Sequence, residues 1–329
     1  MEKILVTGGT GYIGSFMVRH LKEKGFEVVI ADDLSQGHVE SVEGFDVRQI
    51  DLANEPEKVD ELFAKEGFSG VVHMASFIQM GESFKNPSKY FRNNLLAALN
   101  VMDAMVKHNV SNFIFSSSAG VYGNPESLPI KEDDKKDPVN PYGETKYMIE
   151  RMLSSYDKAY GLKFMAIRYF NAAGAALDGS IGEDHPDESH LIPLIIRAAI
   201  RGDKFTIYGN DYKTDDGTCV RDYIHVLDLV ETHAIALRKL IDGEESNFYN
   251  AGLGRGYSNN EVIETVKKVT GLPIEIAYGP RREGDADLLY ASVDKIKKDF
   301  NWSPKYSLED IVKSAYEWHK KHPEGYKSP

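Results

Sequence analysis

Tyr142 and Lys146 stand four residues apart in the stretch Asn140–Lys146, NPYGETK. If a helix opens near Pro141, both side chains share one face, a turn apart. A free phenol titrates near ~10, too high for a general base at neutral pH. An ammonium beside it favours the phenolate and moves it toward the working pH, where general-base catalysis is most effective. By itself this spacing is common on solvated helix faces. Ser118 adds to it, because it closes the apolar run Asn112–Ser118, NFIFSSS, ahead of that helix. A hydroxyl at the carboxyl end of a parallel strand points into the crevice where such sheets bind ligands. There it can hydrogen-bond a substrate hydroxyl or the tyrosine. Strand-end serines also cap turns, so Ser118 counts only in company.

That company includes a glycine-rich turn. The stretch VTGGTGYIG places Gly8, Gly9, Gly11 and Gly14 after a strand-like run and before an amphipathic helix. In such a turn one glycine makes the bend. Another lets a pyrophosphate reach the helix N-terminus, and the last packs helix against strand. Asp32 ends the next strand-like run. A carboxylate there takes the adenosine ribose hydroxyls and repels a 2′-phosphate, so NAD is expected over NADP. Asp51 closes the third strand in this reading and is placed to reach the adenine amine. An oxidised nicotinamide beside Tyr142 would favour its phenolate further, and Lys146 could hold the nicotinamide ribose.

The elements that must position these groups follow from hydrophobic period. Lys3–Gly8, Glu27–Asp33, Gly70–Ala75, Asn112–Ser118 and Lys163–Asn171 are short apolar runs and read as strands. Between them, Gly11–Gly25, Pro87–His108 and the segment from Tyr142 carry helical patterns. This alternation predicts an α/β, Rossmann-type doubly wound parallel sheet. After Asn171 the chain becomes rich in Gly, Asp, Ser and Pro (172–193), which reads as a boundary and a functional loop. A dinucleotide-binding domain over 1–171, with a return segment near 222–250, and a smaller C-terminal α/β substrate-binding domain over 172–329 are therefore expected. Helices are predicted at Leu194–Arg201, Ser258–Thr270 and Leu308–Lys321, and a strand then a helix across Arg221–Leu240.

The bulk composition narrows the function. A formal charge of −12 argues against nucleic acid or an anionic membrane surface as partner. No stretch approaches the ~20 apolar residues of a membrane span. Cys219 is the single cysteine, so no intrachain disulfide forms. The chain enters its first motif within a few residues and shows no signal-peptide pattern. A cytoplasmic enzyme is expected. His185 and His190 read as loop or substrate-shell residues rather than metal ligands, and no metal centre is expected.

The motifs VTGGTGYIGS, NFIFSSSAGVYG, PYGETK, RYFNAAGA, GEDH, HLIP, YGNDYKTDDGTCVRDYIHVLDL and PRREGD recur along nearly the whole chain. Through them the chain resembles the extended short-chain dehydrogenase/reductase family and, within it, the UDP-glucose 4-epimerases. The resemblance implies interconversion of UDP-glucose and UDP-galactose through a transient 4-keto sugar, with NAD reduced and reoxidised in each turnover. It implies a catalytic set of Ser118, Tyr142 and Lys146. It implies that Tyr12, Ile13, Leu52 and Ala75 line the cofactor, with Asn93 and Tyr169 near the nicotinamide. Asn171, His190, Leu191, Tyr208, Arg221 and Arg282 would hold the UDP-sugar, and Asp285 would bind the uridine ribose or orient Arg282. Two arginines suit a diphosphate in charge and geometry. A homodimer through the Pro87–His108 and Tyr142–Tyr160 helices is implied as well.

The chain departs from its relatives in places. Gly120 stands where many carry a threonine, which removes a hydroxyl from the substrate side. Ile78 replaces a lysine that some bacterial epimerases place near the cofactor phosphates. Leu289 replaces a tyrosine that in some members walls off the sugar's C2 substituent, so room for an N-acetyl group is expected. The alternatives are a C4 epimerase of another UDP-sugar (UDP-GlcNAc/GalNAc, UDP-glucuronate or UDP-xylose) and, from other classes, a nucleotide-sugar dehydratase or decarboxylase or a silent NAD-sensing regulator. A dehydratase needs an Asp-Glu pair where Ala119 and Gly120 stand, and a silent regulator has little use for Tyr142 with Lys146.

Overall fold

Apolar β-branched runs that end in glycine or a polar turn become the strands, and the amphipathic stretches between them become the helices. A computed structural model of the protein describes residues 2–281 and 286–326. Arg282 and Asp285, both expected at the site, lie outside the described residues. The chain begins β1 (Lys3–Thr7), α1 (Tyr12–Glu23), β2 (Glu27–Asp32), β3 (Asp46–Gln49), α2 (Pro56–Glu66) and β4 (Gly70–His73). It continues with α3 (Met80–Lys85), α4 (Pro87–Tyr90), a π-helical turn (Phe91–Leu95), α5 (Leu96–Lys107), β5 (Asn112–Ser118), α6 (Pro141–Tyr160) and β6 (Lys163–Tyr169). Then come β7 (Asn171–Ala173), α7 (Leu191–Arg201), β8 (Phe205–Tyr208), β9 (Val220–His225), α8 (Val226–Ile241) and β10 (Asn247–Ala251). The last elements are β11 (Gly256–Ser258), α9 (Asn259–Thr270), β12 (Ile276–Gly279), β13 (Leu288–Leu289), α10 (Asp294–Phe300) and α11 (Leu308–Lys321).

The chain divides into two compact units. The first takes in residues up to 123, Lys135–Arg168 and Val230–Tyr249. The second takes in Asn124–Asp134, Tyr169–Leu229 and the chain from Asn250 onward. These limits differ in detail from a 1–171 domain with a return near 222–250. The excursion 124–134 belongs with the second unit because Ile130 bridges Ala291 and its carbonyl accepts from Asn250 Nδ2 at 3.0 Å.

In the first unit a seven-stranded sheet runs β10-β6-β5-β4-β1-β2-β3. Its pairs β1–β2, β1–β4, β2–β3 and β4–β5 are parallel. The order reverses between β1 and β4, and a doubly wound sheet binds its ligand at the carboxyl ends of the strands at that reversal. Leu5, Val71, Phe113 and Ala166 on the strands and Val59, Leu62, Val101, Met102, Ile149 and Leu153 on the helices form one buried core. Each of the larger apolar side chains, alanine excepted, contributes roughly 1.5–3 kcal/mol by leaving water.

In the second unit β9 pairs with β11 antiparallel and with β7 and β13 in parallel, and β8 pairs with β12. Helices α7, α9 and α11 share a core of Ile192, Ile195, Ile196, Val262, Ile263, Val266, Ile311 and Val312. Helix α7 begins at Leu191, three residues earlier than the sequence predicts. Pro193 falls in its first turn, where a missing N–H costs nothing, so the proline does not mark the start.

Candidate active site

The glycine turn joins β1 to α1. Gly8 adopts φ +69°, and a Cβ there would lie 2.6 Å from the Ala75 backbone nitrogen. A Cβ on Gly14 would lie 2.0 Å from the Gly8 carbonyl oxygen. These two glycines are demanded by the fold. Gly11 is different, because an added Cβ would meet only the Gly8 oxygen, at an ordinary 3.4 Å. Its lack of a side chain keeps open the space over the first turn of α1. That turn, starting at Tyr12 and Ile13, has no acidic residue and no side-chain cap. Backbone amides and a helix N-terminus with open space above them suit a pyrophosphate.

Asp32 ends β2 and is buried. Its Oδ2 accepts from the Thr10 amide at 3.0 Å and its Oδ1 from the Leu34 amide at 2.9 Å. Burial raises its pKa while these amides hold it down. Asp51 lies beyond β3, whose last residue is Gln49. Its Oδ1 accepts from the Ala53 amide at 3.0 Å and the Asn54 amide at 3.1 Å, so it shapes the turn that carries Leu52 rather than closing a strand. At the end of β4, Thr7 Oγ1 lies 2.8 Å from His73 Nδ1 and accepts from the amides of Met74 at 3.2 Å and Ala75 at 3.4 Å. Burial pushes His73 down to about 3, with the Lys146 charge acting in the same direction, so the ring is neutral.

Helix α6 starts where the sequence places it. Asn140 is its N-cap and accepts from the Gly143 amide at 2.8 Å, Pro141 takes the first helical position, and Gly161 ends the helix at φ +72°. Tyr142 and Lys146 are therefore one turn apart, both buried. Lys146 Nζ donates to the Ser116 carbonyl at 2.9 Å and lies 5.8 Å from the Tyr142 ring centroid. Burial drives its pKa down to about 7, against the pull of Glu150. Ser118 Oγ accepts from the Gly120 amide at 3.0 Å, which leaves its proton to donate. A Cβ on Gly120 would lie 3.3 Å from Ser118 Oγ and 3.9 Å from Tyr142 Cε1, so the hydroxyl and the phenol ring flank one point. The methyl and hydroxyl of a threonine would project from that same point.

Two supports of this helix were not read from the sequence. Glu150 takes both Arg168 Nε at 2.8 Å and Arg168 Nη2 at 2.7 Å, and Ser117 Oγ at 2.7 Å. Arg168 Nη1 also donates to the Tyr122 hydroxyl at 2.9 Å. This buried network ties α6 to β5 and β6. Glu150 stands four residues after Lys146, so the face that carries Tyr142 and Lys146 pointed to it. The other support is Asn94, in the π-helical turn beside Asn93. Its Nδ2 donates to Thr145 Oγ1 at 3.1 Å and to the Phe77 carbonyl at 3.1 Å, and its Oδ1 accepts from Asn93 Nδ2 at 3.3 Å. Such a widened turn inside a helix often marks a functional position. Ile78 is partly exposed on the segment that Asn94 holds.

In the second unit, pairing across β7, β9 and β13 brings three expected residues onto one sheet. Asn171 opens β7, whose partner on β9 is Tyr223, and Leu289 is in register with Arg221. Asn171 Nδ2 donates to the Asp222 carbonyl at 2.7 Å. The Asp222 carboxylate accepts from the amides of Leu253 at 2.8 Å, Ala291 at 3.1 Å and Gly254 at 3.2 Å. Burial raises it to about 7 against these donors. It locks the strand that carries Arg221. His190 and Leu191 open α7, and Tyr208 ends β8 with its side chain largely exposed. Tyr169 is the last residue of β6. Arg281, neighbour of Arg282, is committed to Asp211 at 2.6 Å and stacks 4.0 Å over Tyr212.

Comparison with known proteins gives the family. The NAD dependent epimerase/dehydratase family matches residues 4–252. The chain is 46% identical over 326 residues to a UDP-glucose 4-epimerase of Lactobacillus helveticus, covering 98% of this chain and 99% of that one. A crystal structure of a UDP-glucose 4-epimerase superposes with a TM-score of 0.96 at 42% identity, over 99% of this chain and 100% of the other. The Bifidobacterium longum UDP-glucose 4-epimerase in complex with NAD+ and UDP gives 0.92 at 34% identity, over 98% and 100%. With a family match across most of its length and near-complete relatives of this similarity, the chain belongs to the NAD dependent epimerase/dehydratase family.

Proposed function

We propose that the protein interconverts UDP-glucose and UDP-galactose by inverting C4 of the sugar, with NAD as its cofactor. The observation that carries this reading is the Ser118 hydroxyl and the Tyr142 ring flanking one point, with the Lys146 ammonium buried one turn along. NAD, when bound, would supply the reversible hydride acceptor for C4. The open space over Gly11, the amides opening α1 and the carboxylate of Asp32 fit its pyrophosphate and ribose. Leu52, Asp51, Ala75, Asn93 and Tyr169 complete the proposed cofactor contacts.

Tyr142, as phenolate, accepts the proton of the sugar 4-hydroxyl and gives it back after the sugar has turned. Ser118 donates to the reacting oxygen, and Lys146 supplies the positive charge that favours the phenolate. Asn171, His190, Leu191, Tyr208, Arg221, Arg282 and Asp285 take the UDP part. Tight binding of UDP away from the reacting carbon leaves the sugar free to present either face. Leu289 in place of a larger ring supports some turnover of UDP-N-acetylhexosamines.

The test is a product panel with UDP-Glc, UDP-Gal, UDP-GlcNAc, UDP-GlcA and UDP-xylose, run without added NAD. We expect UDP-Glc and UDP-Gal to interconvert, and Tyr142→Phe to slow this by at least ~100-fold, the usual scale for losing a positioned acid–base group. Undiminished turnover by the variant refutes the assignment.

We also propose a homodimer through α5 and α6, supported by the exposed Leu96, Met148 and Tyr160 on those helices. Among the described residues no helix is long and apolar enough to cross a membrane. A single, buried cysteine can form no intrachain disulfide, which suits a reducing compartment, and we propose the cytoplasm.

A further inference from the structure

The loop before α7 carries two copies of a Glu-x-His pair five residues apart, Glu183/His185 and Glu188/His190. The fold brings all four side chains to one point. One ligand-capable atom from each lies within 4.8 Å of the others. His185 Nδ1 is 3.4 Å from Glu183 Oε1 and 3.4 Å from Glu188 Oε2. His190 Nδ1 is 2.5 Å from Glu183 Oε1 and 3.5 Å from Glu188 Oε1. A tetrahedron with metal–ligand bonds of ~2.0–2.2 Å has edges of about 3.3–3.6 Å; His185 meets that spacing to both glutamates, at 3.4 Å each, whereas the 2.5 Å His190–Glu183 contact is a hydrogen bond that a bound ion would replace.

Burial and charge point the same way. The glutamate side chains are only 4% and 3% exposed, and His185 is 15% exposed. Two buried carboxylates need compensation. Among the described residues their ion-pair partners are the two imidazoles alone. Arg197 is directed to the neighbouring Asp184 instead, at 3.4 Å. A divalent cation would balance two carboxylates with both imidazoles neutral. The cage is also held in shape from outside. Glu188 Oε1 accepts from the amides of Ser189 at 2.8 Å and His190 at 2.9 Å, and the Glu183 carbonyl accepts from Trp318 Nε1 at 3.2 Å. His190, at 40% exposed, is the most accessible of the four.

We propose that Glu183, His185, Glu188 and His190 form a tetrahedral site for a divalent transition-metal ion, zinc above all. Two imidazoles and two carboxylates suit zinc in ligand type and number, and four protein ligands make the site structural rather than catalytic. The ion staples the loop 183–190 to the first turn of α7, which presents Leu191. This departs from the expectation that the chain has no metal centre. The site shares His190 with the proposed UDP contacts but does not rest on the epimerase reading, and its test does not use turnover.

The full-length, tag-free chain is dialysed against a chelator and titrated with Co2+, then Zn2+. We expect one Co2+ per chain, the intense visible absorption of tetrahedral cobalt, and its loss on adding Zn2+. Zn2+ should also raise the melting temperature of the parent chain. His185→Ala and Glu188→Gln should abolish both the spectrum and the zinc-dependent shift while keeping the parent's far-UV circular dichroism. If one variant fails to fold, the other and the parent titration still decide. Uptake well below one ion per chain, an octahedral cobalt spectrum, or uptake unchanged in a folded variant overturns the site.

Discussion

Lys146 sets burial against charge in a single side chain. Its ammonium lies in an interior position with 2% of the residue exposed and one hydrogen bond, to the Ser116 carbonyl. Burial holds its pKa at about 7, whereas an unfolded lysine stays protonated to about 10.4. The sign follows directly. Between these values the unfolded chain binds more protons, so this group makes stability rise with pH across that window. Below pH 7 both states are protonated and the cost of burial is constant. Lys146→Met should therefore raise the melting temperature by several degrees at pH 6.5, and the gain should fade as pH approaches 10, while turnover is lost. Melting curves at both pH values and equal NAD content check this. A gain that does not change with pH contradicts it. The residue tolerated there is one that stability alone would select against, which fits its proposed work on Tyr142.

At the scale of elements, the β1–α1 turn and helix α6 make separate predictions. The glycine pattern already separates the last glycine, Gly14, which packs helix against strand, from one that admits a pyrophosphate, and the contacts around Gly11 and Gly14 make the two substitutions differ. Gly14→Ala drives a methyl to 2.0 Å from a backbone oxygen and should destabilise the chain by ~2–3 kcal/mol or more. Gly11→Ala meets only an ordinary contact and should leave the cofactor-free chain within ~1 kcal/mol of the parent while lowering NAD content sharply. Urea titration and release of NAD on denaturation separate the two. Helix α6 is tied down by the Glu150–Arg168 pair, both residues almost fully buried. Removing one partner strands a buried charge, at a cost of about 3–5 kcal/mol. Arg168→Met should cost that much, and adding Glu150→Leu should recover most of it. A single-variant cost below ~1 kcal/mol would show that the pair does not anchor the helix.

For the whole molecule, the outer faces of α5 and α6 leave Leu96 37%, Met148 37% and Tyr160 63% exposed. Light scattering should return twice the 36.9 kDa of one chain. Leu96→Glu combined with Met148→Glu should halve it, since charge in an apolar contact is left unpaired. A mass of one chain for the parent refutes the dimer. At this scale the doubly wound class was legible from the alternation of apolar runs and helical periods. The short strands β8, β11, β12 and β13 were not. They are two to four residues long, and so brief a run carries no periodic signal.

The sequence by itself determined what depends on neighbours along the chain. It showed the glycine turn between a strand and a helix, the Asn140–Pro141 start of α6, and the spacing that puts Tyr142 and Lys146 on one face. These are set by backbone sterics and helical period, which act within a few residues. Only the tertiary structure decided which polar residues go inside and whom they meet. Glu150 finds Arg168 and Ser117, Asn94 finds Thr145, and Thr7 finds His73 across 66 residues of chain. The Glu183, His185, Glu188 and His190 side chains converge where the loop folds back on itself, with the Glu183 carbonyl held by Trp318 of α11. Buried polar groups must be paired, but the partner is chosen by how distant elements pack, and no local pattern in the sequence encodes that choice.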